Sequence, residues 1–512
     1  MKILSFVSIL LARYLPTIDS SKVRFELSKY PTIHSHNGPL VLCQAVESYT
    51  FVLRVIHFLI AYRKIKNQNL HIGWIVLRKP LGVRSYRSKI RSTLLDNKFT
   101  DLIWLSLYKS IGGKIAIHLN KDTKAMTKAS VRARETQNSL HSKSDLVNFR
   151  IENIQVGDLV YDTYLRFKPA ATVDIYDPFL GELLEWTWDL YFQTKSYLEN
   201  HKVTALVTSY TSYIHHGLIA RMALERCIPV YSLGARNQLV VQPTVQFPFH
   251  VRNFHNYREL LKGSDMKTIC EIGTELITRR MTGKIDPATS YMKKSAYNTE
   301  IASKIFPITN KKRALVMGHD FYDSPHIYGS MIFADFYEWI EFVFTEARNS
   351  EYDFFYKPHP NGLPNNVFIT KHLRSKYPNI QFIEKEVSNL QILEEGIDIA
   401  FTVYGTVSHE FAFKGVPVVS AGDNPHNAYK FNICARTKEE LAQYIHGSKK
   451  PILDNSEVPE FCYVHNYRHL NNSLSFFPFL EGNPSMSKSF EFASLDRRID
   501  SMVSAIENCN KL

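Results

Sequence analysis

The sequence predicts an α/β protein made of two Rossmann-like domains that face a central cleft. Short apolar runs, typical of buried parallel strands, alternate with longer stretches whose apolar residues recur every three to four positions. This alternation occurs twice, in residues 71–233 and again in residues 313–420. The zone between them, residues 262–311, is polar and lacks strand signals, so it is expected to be helical and linking. Two such blocks favour two doubly wound parallel sheets.

The chain length of 512 residues agrees with more than one domain. We expect a first domain in residues 1–290, a second domain in residues 291–490 and a C-terminal helix in residues 491–512. Ligands of doubly wound sheets bind at the carboxyl ends of the strands. The loops that follow the strands of the second domain are therefore the first places to search for a binding site.

The first domain is expected to contain a βαβ unit, because a helix predicted at residues 214–226 lies between two predicted strands at 203–209 and 228–233. The elements expected before this unit are strands at 71–77 and 114–118, a loop with an exposed helix at 120–143, and a helix at 178–200. The helix at 178–200 follows from apolar residues at helical spacing, among them Leu183, Trp186 and Leu190.

The second domain is expected to repeat the alternation. Its predicted strands are 313–317, 352–356, 380–382, 397–402 and 416–420, of which the last ends the series. Its predicted helices are 333–347, 366–377, 389–395 and 408–414, and an amphipathic helix at 490–509 follows. The loops after strands 313–317, 352–356 and 397–402 carry the motifs described below.

Charge and cysteine content limit the class of protein. The formal net charge is +13, and a basic surface attracts anionic partners. The excess is diffuse, and neither zinc-finger spacing nor a basic region with heptads occurs, so we do not expect a nucleic-acid partner. The six cysteines include no C-x-x-C pair and fit neither a disulfide framework nor a zinc site. This pattern predicts a reducing, cytoplasmic compartment.

An apolar run near the N-terminus, residues 3–12, allows two interpretations. No A-x-A-like cleavage site follows it and it is too short to span a bilayer, so a core helix of the first domain is preferred over a signal peptide. One apolar helix together with basic charge is also a pair of weak membrane anchors. We therefore expect a cytoplasmic protein that makes a peripheral contact with an anionic membrane at the inner face.

The first motif is Lys357-Pro358-His359-Pro360, directly after the predicted strand 352–356. Each proline fixes its own φ and restricts the residue before it to extended conformations, so the imidazole is held rigidly at the carboxyl end of a strand. A histidine in that place can donate a hydrogen bond to a phosphate oxygen. The alternative is a structural turn in which His359 caps a helix.

The second motif is the turn Tyr404-Gly405-Thr406, which leads from a strand into a helix. Glycine lets the backbone approach a ligand closely, and a helix N-terminus offers N–H groups to a phosphate. Glu410, one turn further on, is placed to bind a ribose hydroxyl. Lys414-Gly415 is a helix C-cap signal. A strand–turn–helix without a ligand would also need Gly and Thr there, and Glu410 then serves only the helix.

Two further motifs remain open between function and structure. Residues 318–326 follow the first strand of the second domain, where His319 or Asp320 is a candidate general base or phosphate contact. Residues 209–217 follow a strand of the first domain and could line an acceptor pocket. The adjacent histidines of that motif, His215 and His216, do not face one ligand on a helix, so a metal site is not expected there.

Residues 313–430 resemble the capsular and surface polysaccharide glycosyltransferases of the GT-B fold. The resemblance rests on K-P-H-P, on the later turn with its glutamate, on F-K-G-V-P-V-V and on Gly422-Asp423-Asn424-Pro425-His426. Bacterial capsule transferases of the Kdo and sialic acid types are similar in a His-Pro motif and a Ser/Thr-bearing turn at the donor phosphate. The first half matches only in general layout, with Y-D-T-Y-L-R and an H-G-x-x-x-R helix.

The resemblance implies transfer of a sugar from a CMP- or UDP-linked donor to a glycan or lipid-linked acceptor, without a cofactor or a metal, since no D-x-D motif occurs. The site residues it implies are Lys357, His359, Tyr404, Gly405, Thr406 and Glu410 for the donor and Asp320, His319 and His359 for catalysis. A polyol-phosphate transferase, a nucleotide-sugar epimerase or a non-catalytic glycan assembly protein would reuse the same phosphate cradle, because fold does not fix function.

Overall fold

The structure is a computed structural model of the chain. It describes residues 33–46, 49–76, 107–118, 123–168, 170–234, 239–284, 295–297, 303–360, 362–467 and 495–509. The apolar run at residues 3–12, for which we predict a helix, lies outside these ranges. Contacts divide the chain into two units, of which unit 1 contains residues 1–167, 175–250 and 472–512, and unit 2 contains residues 168–174 and 251–471.

Unit 1 is built on a five-stranded parallel sheet with the order β3-β2-β1-β6-β7. In chain order its elements begin with β1 (Leu40–Gln44), α1 (Tyr49–Lys66), β2 (His71–Val76), β3 (Lys114–His118), α2 (Thr123–Ser139) and α3 (Lys143–Val147). They continue with β4 (Arg150–Ile151), β5 (Ile154–Gln155), α4 (Gly157–Phe167), α5 (Pro178–Asn200), β6 (Val203–Thr208), α6 (Ile214–Glu225) and β7 (Val230–Ser232). The predicted βαβ unit is present as β6, α6 and β7.

The centre of this sheet is a strand that the sequence analysis missed. β1 pairs with β2 on one side and with β6 on the other, and both pairings are parallel. Its four consecutive apolar residues are buried, as expected of a strand covered on both faces. The run is short and lies far in sequence from the next strand-like run, so hydrophobic periodicity alone did not predict it as a strand.

The H-G-x-x-x-R pattern of α6 has a structural explanation within unit 1. A Cβ on Gly217 would lie 2.3 Å from the Thr211 carbonyl oxygen and 2.5 Å from a Leu159 methyl carbon, so glycine permits α6 to pack closely against α4. One turn later, the Arg221 guanidinium forms a bidentate ion pair with the buried carboxylate of Asp158, at 2.7 and 2.6 Å. These contacts stabilise the α4–α6 packing.

Unit 2 is built on a six-stranded parallel sheet with the order β10-β9-β8-β11-β12-β13. Its elements are α7 (Met266–Met281), β8 (Lys312–Met317), α8 (Phe336–Glu346), β9 (Tyr352–Lys357), α9 (Asn366–Lys376), β10 (Gln381–Phe382), α10 (Asn389–Glu395), β11 (Ile399–Thr402), α11 (Val407–Phe413), β12 (Val418–Ser420), β13 (Asn432–Cys434), α12 (Lys438–His446) and α13 (Val458–Cys462). The last helix, α14 (Leu495–Cys509), follows in unit 1. The expectation that strand 416–420 ends the series is wrong, because β13 pairs with β12 beyond it.

Both faces of the second sheet are covered by core side chains. Along β8, Ala314 and Val316 belong to one hydrophobic cluster, while Leu315 and Met317 belong to another. This alternation is the two-residue period of a strand buried on both faces. Because both faces are covered, polar groups are accessible at the ends of the strands, and the loops that follow β8, β9, β11 and β12 lie at the carboxyl ends.

The α/β class with two Rossmann-like domains is confirmed by these two parallel sheets. The contact-based division differs from the expected one. Residues 168–174 and 251–284, expected in the first domain, belong to unit 2, and α14 belongs to unit 1 together with α1. The cleft between the domains stays a prediction. None of the helices in the described ranges is long and apolar enough to cross a membrane.

Candidate functional site

All eight predicted site residues lie at or next to the carboxyl edge of the second sheet. His319 and Asp320 follow β8, Lys357 ends β9 and precedes His359, and Tyr404, Gly405 and Thr406 form the turn after β11. Glu410 lies inside α11, the helix that this turn begins. The structure thus brings the three sequence motifs together on neighbouring strands of one unit.

His319 holds the turn after β11 in place. Its Nε2 accepts hydrogen bonds from the Thr402 hydroxyl at 3.1 Å and from the Val403 N–H at 3.2 Å. The same hydroxyl oxygen accepts the N–H of Gly405 at 3.2 Å. The imidazole also stacks on the Phe336 ring, with centroids 4.7 Å apart. This network fixes the backbone of the turn before any ligand arrives.

The network also fixes the protonation of His319. Two donors point at Nε2, so that nitrogen is unprotonated and the proton of the neutral ring lies on Nδ1. Burial, together with the nearby His359, lowers the pKa of His319 to about 3. His319 is therefore neutral at physiological pH, and its lone pair is engaged by the protein. Its role as a general base stays a prediction that this geometry does not favour.

Gly405 and Thr406 are the two residues of the turn for which we predict contact with a donor phosphate. A Cβ on Gly405 would lie 2.8 Å from the Thr402 hydroxyl oxygen, so a side chain at this position would disturb the turn. In the described part of the chain, the N–H groups of Thr406 and Val407 have no hydrogen-bond acceptor. Unpaired N–H groups in a tight turn attract anions.

Asp320 is engaged by the loop that precedes α9. Its carboxylate accepts the N–H of Tyr322 at 3.0 Å, the Asn366 amide at 2.8 Å and the Leu363 N–H at 2.9 Å. Three donors on one carboxylate give it a structural function in this loop. Its role as a catalytic base stays a prediction. Because three donors already bind its two oxygens, the carboxylate has little capacity left to accept another hydrogen bond.

Lys357 and His359 differ in exposure although they are two residues apart. Lys357 is buried, and its ammonium donates to the Val387 carbonyl oxygen at 2.6 Å and to the Asn389 side chain. Burial lowers the pKa of Lys357 to about 8. His359 is half-buried at the strand end. Burial also lowers the pKa of His359, Asp320 opposes this effect and Lys357 adds to it.

Glu410 is bound by protein groups on both of its carboxylate oxygens. Arg280 donates to one oxygen at 2.6 Å and the Tyr297 hydroxyl donates to the other at 2.8 Å. The ion pair is almost fully buried, with side-chain exposures of 6% for Arg280 and 4% for Glu410. Contact between Glu410 and a ribose stays a prediction, and the observed partners favour a supporting role beneath the turn.

Several residues that organise this edge were not found from the sequence. Arg280 and Tyr297 lie in the zone that we expected to be helical and linking. A second group is a buried chain of hydrogen bonds in which His426 Nδ1 donates to Asn424 Oδ1 at 2.8 Å and His409 Nδ1 donates to His426 Nε2 at 2.9 Å. Burial lowers the pKa of both histidines well below the usual value. Asn424 and His426 belong to the quoted motif after β12, but their pairing with His409 has no local signal.

The corresponding edge of unit 1 also carries polar groups. The Gln44 amide oxygen at the end of β1 accepts His216 Nδ1 and the Thr208 hydroxyl, both at 2.7 Å. His215 instead packs on the Trp186 ring, with centroids 5.9 Å apart. The two imidazole rings lie 4.1 Å apart, and only that of His216 is hydrogen-bonded to Gln44. No cluster of three or more metal-ligating side chains occurs in the part of the chain that the structure describes. The acceptor pocket stays a prediction.

Comparison with known proteins adds little to this geometry. No protein-family model and no curated protein matches the chain. Among solved structures, the chain is similar to the β-Kdo 2,4-transferase KpsC of Thermosulfurimonas dismutans, with 12% identity, a TM-score of 0.34 and coverage of 52% of this chain and 80% of that one.

Two further similarities cover more of the chain at lower scores. The UDP-GlcNAc 2-epimerase of Neisseria meningitidis has 11% identity and a TM-score of 0.24, with coverage of 83% of this chain and 98% of that one. The glycosyltransferase SnogD of Streptomyces nogalater has 11% identity and a TM-score of 0.21, with coverage of 91% and 98%. Likeness at this level assigns no activity. The fold and the edge of unit 2 define an α/β protein with two Rossmann-like units and one preorganised turn.

Proposed function

We propose that the chain is a glycosyltransferase of the GT-B type that uses a nucleotide sugar, linked to CMP or UDP, as its donor. The observation that supports this proposal is the turn at residues 403–406, which His319 and Thr402 hold rigid at the carboxyl edge of a parallel sheet. The turn presents the N–H groups of Thr406 and Val407. Fixed donors of this kind stabilise negative charge that develops on a leaving phosphate.

His359 is the proposed side-chain contact to the donor phosphate. It is half-buried and lies close enough to His319 to lower the pKa of that residue. The neutral ring still carries one N–H and donates it without bringing a second charge. Tyr404 and Glu410 support the turn from behind, because the Tyr404 hydroxyl donates to the Ser324 carbonyl oxygen and Glu410 pairs with Arg280. Lys357 supports the end of β9, because its buried ammonium donates to the Val387 carbonyl oxygen and to the Asn389 side chain.

The acceptor is proposed to be a surface or capsular glycan, free or lipid-linked, and the protein is proposed to be cytoplasmic with a peripheral contact to an anionic membrane. The net charge of +13 supports an anionic donor and a contact with anionic surfaces. The first test is a thermal-shift screen against CMP, CDP, UDP, GDP and dTDP, because a nucleotide that binds the folded chain raises its unfolding temperature.

Product analysis with the matching sugar nucleotides completes the test. Release of nucleotide with a sugar joined to an acceptor supports the proposal, whereas an epimerised nucleotide sugar or transfer of a phosphate-containing group replaces it. We expect His359→Ala to lower the transfer rate about 10²–10³-fold, the usual effect of losing one preorganised donor. The exposed His255→Ala is the matched control. Wild-type turnover in His359→Ala would reject the donor site.

A further inference from the structure

The loop before α9 and the first turn of this helix expose a group of large apolar side chains. The exposed fractions are 39% for Leu363, 60% for Val367 and 73% for Phe368. Single exposed apolar residues are common on protein surfaces and need no explanation. Three of them within one loop and one helical turn form a local patch, and such patches mark interaction sites.

The same helix carries only basic charge. Its sequence, NVFITKHLRSK, contains no acidic residue, and Lys371, Arg374 and Lys376 are exposed. Arg374 pairs with Glu384 at 3.1 Å, and Lys376 pairs with Glu341. The side chains of Arg374 and Glu384 are both more than half exposed. Exposed ion pairs contribute little to stability, so a competing anion can replace the Glu384 carboxylate. Lys371 has no carboxylate partner in the described part of the chain.

The apolar and basic residues share one side of α9. Lys371 follows Val367 by four residues and Phe368 by three, the spacings at which helical side chains are neighbours, whereas Leu373 is buried in the core. With a rise of about 1.5 Å per residue, Lys371 lies about 4.5 Å and Arg374 about 9 Å along the axis from Phe368. An apolar tip that enters the boundary between headgroups and acyl chains would therefore place these cations at the depth of the lipid phosphates.

We propose that Leu363, Val367, Phe368 and Lys371 form a surface that docks on an anionic lipid membrane. The charge of the helix selects this occupant, because a basic and acid-free helix with an apolar tip is complementary to a negatively charged bilayer. This inference rests on the peripheral membrane contact proposed above, and it locates that contact on unit 2. It does not depend on the transfer reaction.

The test is sedimentation of the full chain with vesicles of phosphatidylcholine alone and of phosphatidylcholine mixed with phosphatidylglycerol, at low and at physiological salt. The double variant Val367→Ser with Phe368→Ser should lower the partition onto mixed vesicles at least about ten-fold, because two apolar side chains no longer enter the bilayer. Lys371→Glu should lower it about five-fold or more at low salt, and this effect should shrink as salt rises.

The matched control is the double variant Ile308→Ser with Ile452→Ser. These two side chains are 88% and 86% exposed and belong to the same unit, but neither lies on α9. Partition of the control should equal that of the wild type. An equal loss in the control, unchanged partition in the α9 variants, or no binding of the wild type to either vesicle would each overturn the proposal. Circular dichroism of every variant confirms that the fold is retained.

The nucleotide thermal shift, measured on the same variants, separates this inference from the proposed function. Loss of vesicle binding with a retained nucleotide shift supports both proposals. Vesicle binding that depends on α9, in a chain that responds to none of the five nucleotides, supports the docking surface and rejects the donor site. A nucleotide response with vesicle binding that ignores the α9 substitutions rejects the docking surface alone.

Discussion

The Glu410 carboxylate pairs with a buried arginine, and this pairing sets the effect of its removal. We expect Glu410→Ala to lower the free energy of unfolding by about 3–5 kcal/mol, because the charge of Arg280 is then left buried without its partner. Urea denaturation of the variant and the wild type measures this difference. A loss below about 1 kcal/mol, the usual size for an exposed pair, would contradict the buried ion pair.

A second variant separates support of the turn from contact with the nucleotide. Arg280→Met with Glu410→Leu removes both charges, and apolar replacement of a buried pair is often neutral for stability. We expect this double variant to recover most of the lost stability and to bind nucleotide as the wild type does. A dissociation constant raised about ten-fold or more would instead place the carboxylate on the ribose, since a hydrogen bond to a charged group contributes about 1.5–3 kcal/mol.

Lys357 gives the stability of the protein a dependence on alkaline pH. Burial lowers its pKa from 10.5 to about 8 in the folded state. Between these values the unfolded chain holds the proton and the folded chain releases it, so the contribution of Lys357 to stability rises with pH. We expect the free energy of unfolding of the wild type, relative to Lys357→Met, to increase from about pH 8 to pH 10. A difference that stays constant over this range would show that Lys357 has an ordinary pKa.

At this scale the sequence located the residues but not their partners. The motifs after β8, β9 and β11 follow from strand-end positions, which local patterns reveal. Glu410 and its partner Arg280 are 130 positions apart, and no local pattern connects them. The same holds for His319 and Thr402, which are 83 positions apart. Roles assigned from motifs alone therefore overestimate how many side chains are available to a ligand.

Two helices of the structure end in the same left-handed conformation with different residues. At the end of α6, Cys227 has a φ of +56°, and at the end of α11, Gly415 has a φ of +82°. The hydrogen bonds from Ile228 to Ala223 and from Val416 to Phe411 are equivalent. The C-cap predicted at Lys414-Gly415 is thereby confirmed, since α11 ends at Phe413.

This pair gives a prediction with opposite signs. Cys227→Gly should raise the free energy of unfolding by about 1 kcal/mol, because glycine adopts a positive φ without steric cost. Gly415→Ala should lower it by a similar amount through strain alone, as no atom lies within 4 Å of an added Cβ there. Thermal denaturation of both variants checks the two signs. A change of the same sign in both variants would show that local packing, and not backbone conformation, determines the change in stability at these positions.

Most strands of the two parallel sheets are predictable from the local sequence, whereas β1 and β13 are not. Runs such as YDFFY and VTALVT are predicted as strands because continuous apolar stretches of this length suit a doubly covered sheet. β1 and β13 were missed because one is a short isolated run and the other, Asn432–Cys434, begins with a polar residue. Both owe their strand conformation to pairing with neighbours, which periodicity cannot report.

At the scale of the whole molecule, the chain does not divide once in the middle. Unit 1 is formed by three separate stretches, and residues 168–174 pass into unit 2, where Thr172 donates to the buried carboxylate of Asp335. The polar zone at residues 262–311 indicated a linker, but its helix α7 contacts α13 and belongs to the core of unit 2. Composition shows where the chain becomes more polar, whereas contacts between residues distant in sequence determine to which domain a segment belongs.

The C-terminal helix offers a test of this division. Met502 and Ile506 of α14 are buried in the hydrophobic cluster of unit 1 that α1 also lines, and Lys64 of α1 pairs with Asp500 at 2.9 Å. We expect Met502→Ala to lower the free energy of unfolding by about 2–5 kcal/mol, because a large buried side chain leaves a cavity. The exposed Glu507→Ala is the control and should change it by less than about 0.5 kcal/mol.

The same variant should keep its response to nucleotide, since the proposed donor site belongs to unit 2. Calorimetry of Met502→Ala with and without nucleotide therefore separates the units. We expect the transition of unit 1 to move to lower temperature, and the stabilisation by nucleotide, which follows from binding to the folded state, to remain. Unchanged unfolding of Met502→Ala would place α14 outside the core. Loss of the nucleotide response in a variant that is still folded would show that the two units unfold and bind as one.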